Sequence, residues 1–120
     1  MFGEHLVVVS DSLRCAGLPD GEYELGGLPI VMKDGLARLH DGTIAGSSTN
    51  LFDELKNLVA FGIPFEHAVY MMTEGAARSI GCFDAIGSLS TGKFADFLVV
   101  DKALNLKAVV IGGEVVHGEL

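Results

Sequence analysis

The sequence predicts an α/β fold, with strands at both ends of the chain and helices in its middle. Residues 6–10 are a run of mainly β-branched apolar side chains without polar alternation, which is typical of a strand buried on both faces. Apolar side chains recur at helical spacing between residues 51 and 72, as they do on one face of a helix. The last third returns to short β-branched runs, which indicate strands again.

Three short antiparallel strands are predicted after the opening strand. A polar, glycine-rich loop at residues 14–21 separates them from it. Gly26-Gly27 and Asp34-Gly35 provide the hairpin turns, because glycine and aspartate tolerate positive φ. The strands delimited in this way are residues 22–25, 28–33 and 36–39.

The middle of the chain is predicted to form three helices. Residues 43–48 are a loop of small side chains, after which Ser48 or Thr49 caps a helix that Gly62 closes. Pro64 begins the second helix, since proline is well suited to a first helical turn. A third short helix and three closing strands follow at residues 76–80, 97–100, 106–111 and 115–116.

The opening strand requires a cover that the rest of the sequence does not provide. A strand apolar on both faces needs neighbours in a sheet, whereas the later strands have hairpin turns and partly polar faces. If the chain folds alone, the strand's uncovered face should drive self-association.

Composition narrows the possible functions. The 120 residues are 49% hydrophobic, with a mean hydropathy of +0.43, which predicts a packed core rather than disorder. Sixteen acidic against eight basic side chains give a net charge of −8, so nucleic acid and anionic membranes are not expected as partners. No apolar run is long enough for a membrane span or signal peptide, and a cytoplasmic protein is expected.

The cysteines and histidines predict no metal site within the chain. Cys15 and Cys82 form no CxxC pair, and both are expected to be free, buried thiols. The four histidines show no HxH or HxxxH spacing. They are expected at the surface, at positions His5, His40, His67 and His117.

Three stretches, taken together, resemble the amidohydrolase superfamily. The apolar run that ends in Ser10-Asp11 resembles the eighth barrel strand of those enzymes. Residues 86–101 contain the pattern G-x-L-x-x-G-x-x-A-D, which is similar to the segment where such chains re-enter their small β-domain. Residues 16–23 (AGLPDGEY), Gly35 and residues 41–48 (DGTIAGSS) narrow the resemblance to the N-acetylglucosamine-6-phosphate deacetylases.

The resemblance implies that this chain is the C-terminal portion of a larger fold. Family members combine an eight-stranded (β/α) TIM barrel, which needs roughly 250 residues, with a small β-sandwich. Residues 1–85 would supply the eighth strand and the following helices, with an inserted β-hairpin region at about residues 22–39. Residues 86–120 would supply the C-terminal strands of the sandwich.

The resemblance also implies the deacetylation of N-acetylglucosamine 6-phosphate to glucosamine 6-phosphate and acetate. Asp11 would be the general base and acid, taking a proton from the attacking water and delivering it to the departing amine. The backbone of Ile44, Ala45 and Gly46 would contact the sugar. A divalent metal, zinc or a similar ion, would be held by upstream residues, so the isolated chain should bind none and be inactive.

Other interpretations stay open from the residues alone. Asp11 could cap the turn that follows it, and residues 44–46 could be a plain helix-entry loop. The whole chain could belong to a dihydroorotase-like or deaminase-like amidohydrolase, or be a non-catalytic β-rich interaction module. The expected partners are an amino-sugar phosphate and either further copies of the chain or a chain that completes the barrel, since the family is commonly homo-oligomeric.

Overall fold

A computed structural model describes residues 5–120. They fall into two compact units. One unit is Val9–Phe61, and the other is Gly62–Leu120 together with residues 5–8. The predicted domain boundary at residues 85 and 86 refers to a complete barrel protein and stays a prediction.

A four-stranded antiparallel sheet dominates the Val9–Phe61 unit. Its strands lie in the order β1-β2-β3-β4. Gly26 and Gly27 in the first turn and Asp34 and Gly35 in the second all have positive φ, so both predicted hairpin turns are confirmed. The strand bounds are β1 Gly21–Leu25, β2 Leu28–Lys33, β3 Leu36–Leu39 and β4 Ile44–Ser47.

The core of this unit lies on one face of the sheet. Ile30 and Met32 of β2 and Ala37 of β3 are buried beside Cys15. Met32 lies opposite Ala37 in the antiparallel register, so alternate residues of neighbouring strands share this face. Leu13, Tyr23, Leu39 and Ala45 pack around the buried residues.

Two predictions were wrong at the boundary between β4 and the first helix, α1 (Leu51–Ala60). Residues 44–47 form a strand rather than part of a loop, because they pair with β3 and a strand needs little side-chain bulk when its backbone is paired. The helix cap is Asn50, whose side chain accepts a hydrogen bond from Asp53 N, and not Ser48 or Thr49. The hydroxyl groups of Ser48 and Thr49 have other partners.

The other unit contains two helices and a three-stranded sheet. Helix α2 is Phe65–Met72, preceded by Pro64 as predicted, and α3 is Glu74–Ser79, which begins two residues before the predicted start. The sheet is antiparallel, in the order β5-β6-β7. Its strands, all at predicted positions, are β5 Phe97–Val100, β6 Leu106–Ile111 and β7 Glu114–Gly118.

The predicted opening strand does not form within the described residues. Residues 6–10 belong to no sheet, and the backbone of Val8 donates instead to Met71 O at 3.2 Å. Leu6, Val7 and Val9 are 47%, 40% and 73% exposed. A strand exists only where a neighbouring strand pairs with it, and the described residues supply none here.

Burial of the thiols follows the prediction at one position only. Cys15 is buried and free, whereas Cys82 is free but exposed, because it follows the end of α3 in a surface turn. The four histidines are exposed, as predicted. None of the helices described is both long and apolar enough to cross a membrane.

Candidate functional site

The structure places Asp11 beside the strand that carries the predicted substrate-contacting residues. Ser47 N, at the end of β4, donates to the carbonyl oxygen of Asp11 at 3.0 Å, and Leu13 N donates to Ser47 O at 2.9 Å. These two bonds form a parallel bridge between Ser12 and Ser47. Residues 35 positions apart in sequence are thereby joined through their backbones.

Gly46 allows this close approach. A Cβ atom at Gly46 would lie 2.8 Å from Leu13 Cδ2 and 3.2 Å from the Asp11 carbonyl oxygen. Ala45, on its N-terminal side, packs on the core, and Ile44 is 62% exposed. Residues 44–46 are therefore a strand held against the Asp11 segment, and not a plain helix-entry loop.

The conformation of Asp11 does not support a turn-capping role. Its backbone has a φ of 47°, a left-handed conformation that aspartate adopts more readily than most residues. Within residues 5–120 its carboxylate accepts no backbone hydrogen bond, whereas those of Asp41, Asp96 and Asp101 each do. Asp11 is exposed, so its carboxylate is available to a ligand.

A group of hydroxyl side chains, missed in the sequence, surrounds this bridge. Ser12 Oγ donates to Thr49 O at 2.6 Å, and Ser47 Oγ lies 2.8 Å from Thr49 Oγ1. Thr49 Oγ1 in turn donates to Glu54 on the first turns of α1. The run Ser47-Ser48-Thr49 was a signal for hydrogen bonding at this point, but nothing in it indicated Ser12 or Glu54 as partners.

Asp41 organises the turn that leads into β4. Its carboxylate accepts a hydrogen bond from Thr43 N at 2.9 Å. That bond, followed by one from the Thr43 hydroxyl, lowers the pKa of Asp41 below its ordinary value. Arg38 donates to Gly42 O at 2.8 Å across the same turn, so the entry to residues 44–46 is fixed by polar contacts.

The described residues do not form a metal site by themselves. Between residues 5 and 120, no three histidine, cysteine, aspartate or glutamate side chains come together to hold an ion. Asp11 by itself would supply a single ligand, which is too few to hold a zinc ion.

Most of the chain is similar in sequence to known proteins. The amidohydrolase family profile matches residues 24–116. A Vibrio furnissii protein named N-acetylglucosamine-6-phosphate deacetylase is 31% identical over 95% of this chain and 29% of its own length. A putative N-acetylgalactosamine-6-phosphate deacetylase of Escherichia coli K12 is 32% identical over 92% of this chain and 67% of its own length.

A solved structure agrees with the sequence relatives. The N-acetylglucosamine-6-phosphate deacetylase of Thermotoga maritima superposes with a TM-score of 0.88 and 34% identity over 98% of this chain. This chain covers 32% of that structure, and it likewise spans less than a third of the Vibrio furnissii relative. The resemblance found in the sequence is confirmed, and it concerns one part of those longer proteins.

Proposed function

This chain belongs to the amidohydrolase family, and from that premise we propose that it is the C-terminal portion of an N-acetylglucosamine-6-phosphate deacetylase. The observation that carries the proposal is the parallel bridge that sets Asp11 against residues 44–46. Asp11 has an exposed carboxylate, and two of the three residues beside its backbone, Ala45 and Gly46, have little or no side chain, which suits a small polar substrate. The similarity to deacetylases over almost the whole chain supports the same reaction.

The complete fold proposed is a (β/α) TIM barrel with a small β-sandwich. In it residues 6–10 become the eighth strand once neighbouring strands pair with them, and the sheet β5–β7 forms part of the sandwich, with the boundary near residues 85 and 86. Barrel enzymes hold their reactive groups at the C-terminal ends of strands, which is where Asp11 lies relative to residues 6–10. The superposition over 98% of this chain supports the assignment.

Asp11 would move the proton that the hydrolysis requires. Water attacks the N-acetyl carbonyl carbon and gives a proton to the Asp11 carboxylate; the C–N bond then breaks, and the proton goes to the departing nitrogen. Acetate and glucosamine 6-phosphate leave. By the same resemblance, the backbone of Ile44, Ala45 and Gly46 would contact the sugar.

The divalent metal on which amidohydrolases generally depend is placed outside this chain in the proposal. Residues 5–120 do not fit a metal site, so the ligands would have to come from other residues of the complete protein. We expect the isolated 120-residue chain to show no deacetylation with added zinc, because a positioned base contributes its roughly 10²–10⁴ in rate only when an activated water is bound beside it, and the residues that would hold that water are placed outside this chain. Release of acetate above the buffer rate by the purified chain would contradict this.

A chimaera tests the function itself. In the Thermotoga maritima deacetylase, this chain replaces the 32% that it matches, and acetate release from N-acetylglucosamine 6-phosphate is measured. We expect turnover that falls by about 10²–10⁴ with Asp11→Asn. The exposed Asp84 provides the control, since Asp84→Asn should leave the rate unchanged. The proposal would be excluded by a folded chimaera that releases no acetate, or by one whose rate of acetate release does not change with Asp11→Asn.

N-acetylgalactosamine 6-phosphate is a second candidate substrate. The Escherichia coli relative that this chain matches over 67% of its length carries that sugar in its name. The two sugars differ at one hydroxyl, so both should be assayed in the chimaera. A ratio of kcat/KM shifted toward the galactose sugar, relative to the parent enzyme, would favour the second candidate. A cytoplasmic location for the complete protein is part of the proposal in either case.

A further inference from the structure

Thr49 lies between helix α1 and the two segments that form the candidate site. Its hydroxyl donates to the carboxylate of Glu54, and its Oγ1 is 2.8 Å from Ser47 Oγ. Because the proton of the Thr49 hydroxyl is given to Glu54, Ser47 is the donor in the second contact. Thr49 N completes the contact by donating to Ser47 Oγ at 3.1 Å.

Thr49 also holds the segment that contains Asp11. Ser12 Oγ donates to Thr49 O at 2.6 Å across 37 positions of sequence. Residue 49 therefore contacts both sides of the parallel bridge: Ser12, which follows Asp11, and Ser47, which follows Gly46. Ser47, Thr49 and Glu54 are all partly buried, where a hydrogen bond is less exposed to competition from water.

We propose that Thr49, held by Glu54 on α1, is a positioning residue that fixes the Asp11 backbone against residues 44–46. The proposal rests on the proposed function for the meaning of that site, but the linkage itself is independent of it. A hydroxyl turn at a helix entry would satisfy only neighbouring residues, whereas the backbone oxygen of Thr49 also accepts a hydrogen bond from Ser12. The helix cap is already supplied by Asn50, so α1 does not need Thr49 for that purpose.

Amide hydrogen exchange in the 120-residue chain tests the linkage. The reporters are Ser47 N–H and Leu13 N–H, the two amides of the bridge, and Ile30 N–H in the core is the reference. Thr49→Val keeps the shape and removes the hydroxyl. We expect exchange at both reporters to rise about tenfold, the size of one lost hydrogen bond, with Ile30 unchanged, and we expect Thr49→Ser to restore slow exchange.

A second variant tests the contribution of the Glu54 carboxylate. Glu54→Gln keeps an acceptor oxygen but removes its charge, so exchange at Ser47 should rise less than in Thr49→Val. Unchanged exchange at Ser47 and Leu13 in Thr49→Val, or equal acceleration at Ile30, would overturn the proposal. So would failure of Thr49→Ser to restore protection.

The chimaera separates this inference from the proposed function. If it deacetylates the sugar, Thr49→Val should lower kcat more than it changes KM, and Thr49→Ser should recover kcat. An unaltered kcat in Thr49→Val would contradict the positioning role. An inactive chimaera with the expected exchange pattern would instead reject the deacetylase reaction and with it the catalytic meaning of the linkage, while the contact itself would stand.

Discussion

Asp101, in the turn between β5 and β6, shows how one side chain makes stability depend on pH. Its carboxylate accepts hydrogen bonds from Asn105 Nδ2 and Asn105 N, both at 2.9 Å, and from Ala103 N. The Asn105 side chain, followed by the Asn105 backbone, lowers the pKa of Asp101 to about 2. The ionised form is thus favoured in the folded chain over the unfolded one.

The direction of the pH effect follows from that difference. A lowered pKa contributes stability above the unfolded value, about 3.9 for aspartate, and this contribution is lost as the pH falls toward 2. We expect Asp101→Asn to lower the free energy of unfolding at pH 7 and to have little effect at pH 2. Urea titrations at both values measure it, with Asp84→Asn as control. An equal loss of unfolding free energy at pH 2 would show that the effect does not come from the charge of Asp101.

At the scale of elements, two glycines of the 86–101 motif have similar backbones but different surroundings. Gly87 and Gly92 have φ values of 88° and 92°. A Cβ at Gly87 would lie 2.7 Å from Ala77 Cβ and 3.2 Å from Thr73 O, at helix α3 and the residue before it, whereas one at Gly92 would meet nothing within 4 Å. Gly87 therefore allows the loop to pack on α3, and Gly92 only allows a turn.

Alanine substitution separates the two roles. Both positions have a left-handed backbone, which alanine adopts less readily than glycine. Either substitution should therefore lower the free energy of unfolding by about 1–2 kcal/mol. Gly87→Ala should cost about 1–3 kcal/mol more, because Ala77 is buried and α3 must shift. Chemical denaturation of both variants gives the comparison. Equal losses would mean that the loop does not depend on close contact with α3.

At the scale of the whole molecule, the exposed apolar run at residues 6–10 should decide how the chain associates. Beside it a cavity of about 410 Å³ is lined by Leu6 and by residues of and before α2, including Tyr70 and Met71. Unpaired extended segments with apolar side chains recruit other strands. In the proposed complete fold, neighbouring barrel strands would cover this run.

Self-association of the isolated chain is the expected consequence. Sedimentation velocity should show species larger than a monomer that grow with concentration. The double substitution Val7→Lys and Val9→Lys should shift the chain toward monomer, because lysine on a strand edge opposes pairing. The control is Leu89→Lys, because Leu89 is also exposed, at 69%, but lies outside residues 6–10. A monodisperse monomer of the unchanged chain would contradict the expectation.

The sequence by itself determined the elements that depend on near neighbours. The hairpins at Gly26-Gly27 and Asp34-Gly35, the helix after Pro64 and the closing strands were all predicted, because turn residues and apolar spacing act over a few positions. Family membership and the choice of Asp11 and Gly46 as candidates also came from sequence patterns.

Only the tertiary structure decided what depends on distant partners. Residues 44–47 form a strand because β3 pairs with them, and residues 6–10 form none because no strand within residues 5–120 pairs with them. The contacts of Thr49 with Ser12 and Glu54 arise only when the sheet brings those segments together. Backbone pairing and side-chain hydrogen bonds act over a few ångströms in space, and no local pattern specifies which distant residues will come that close.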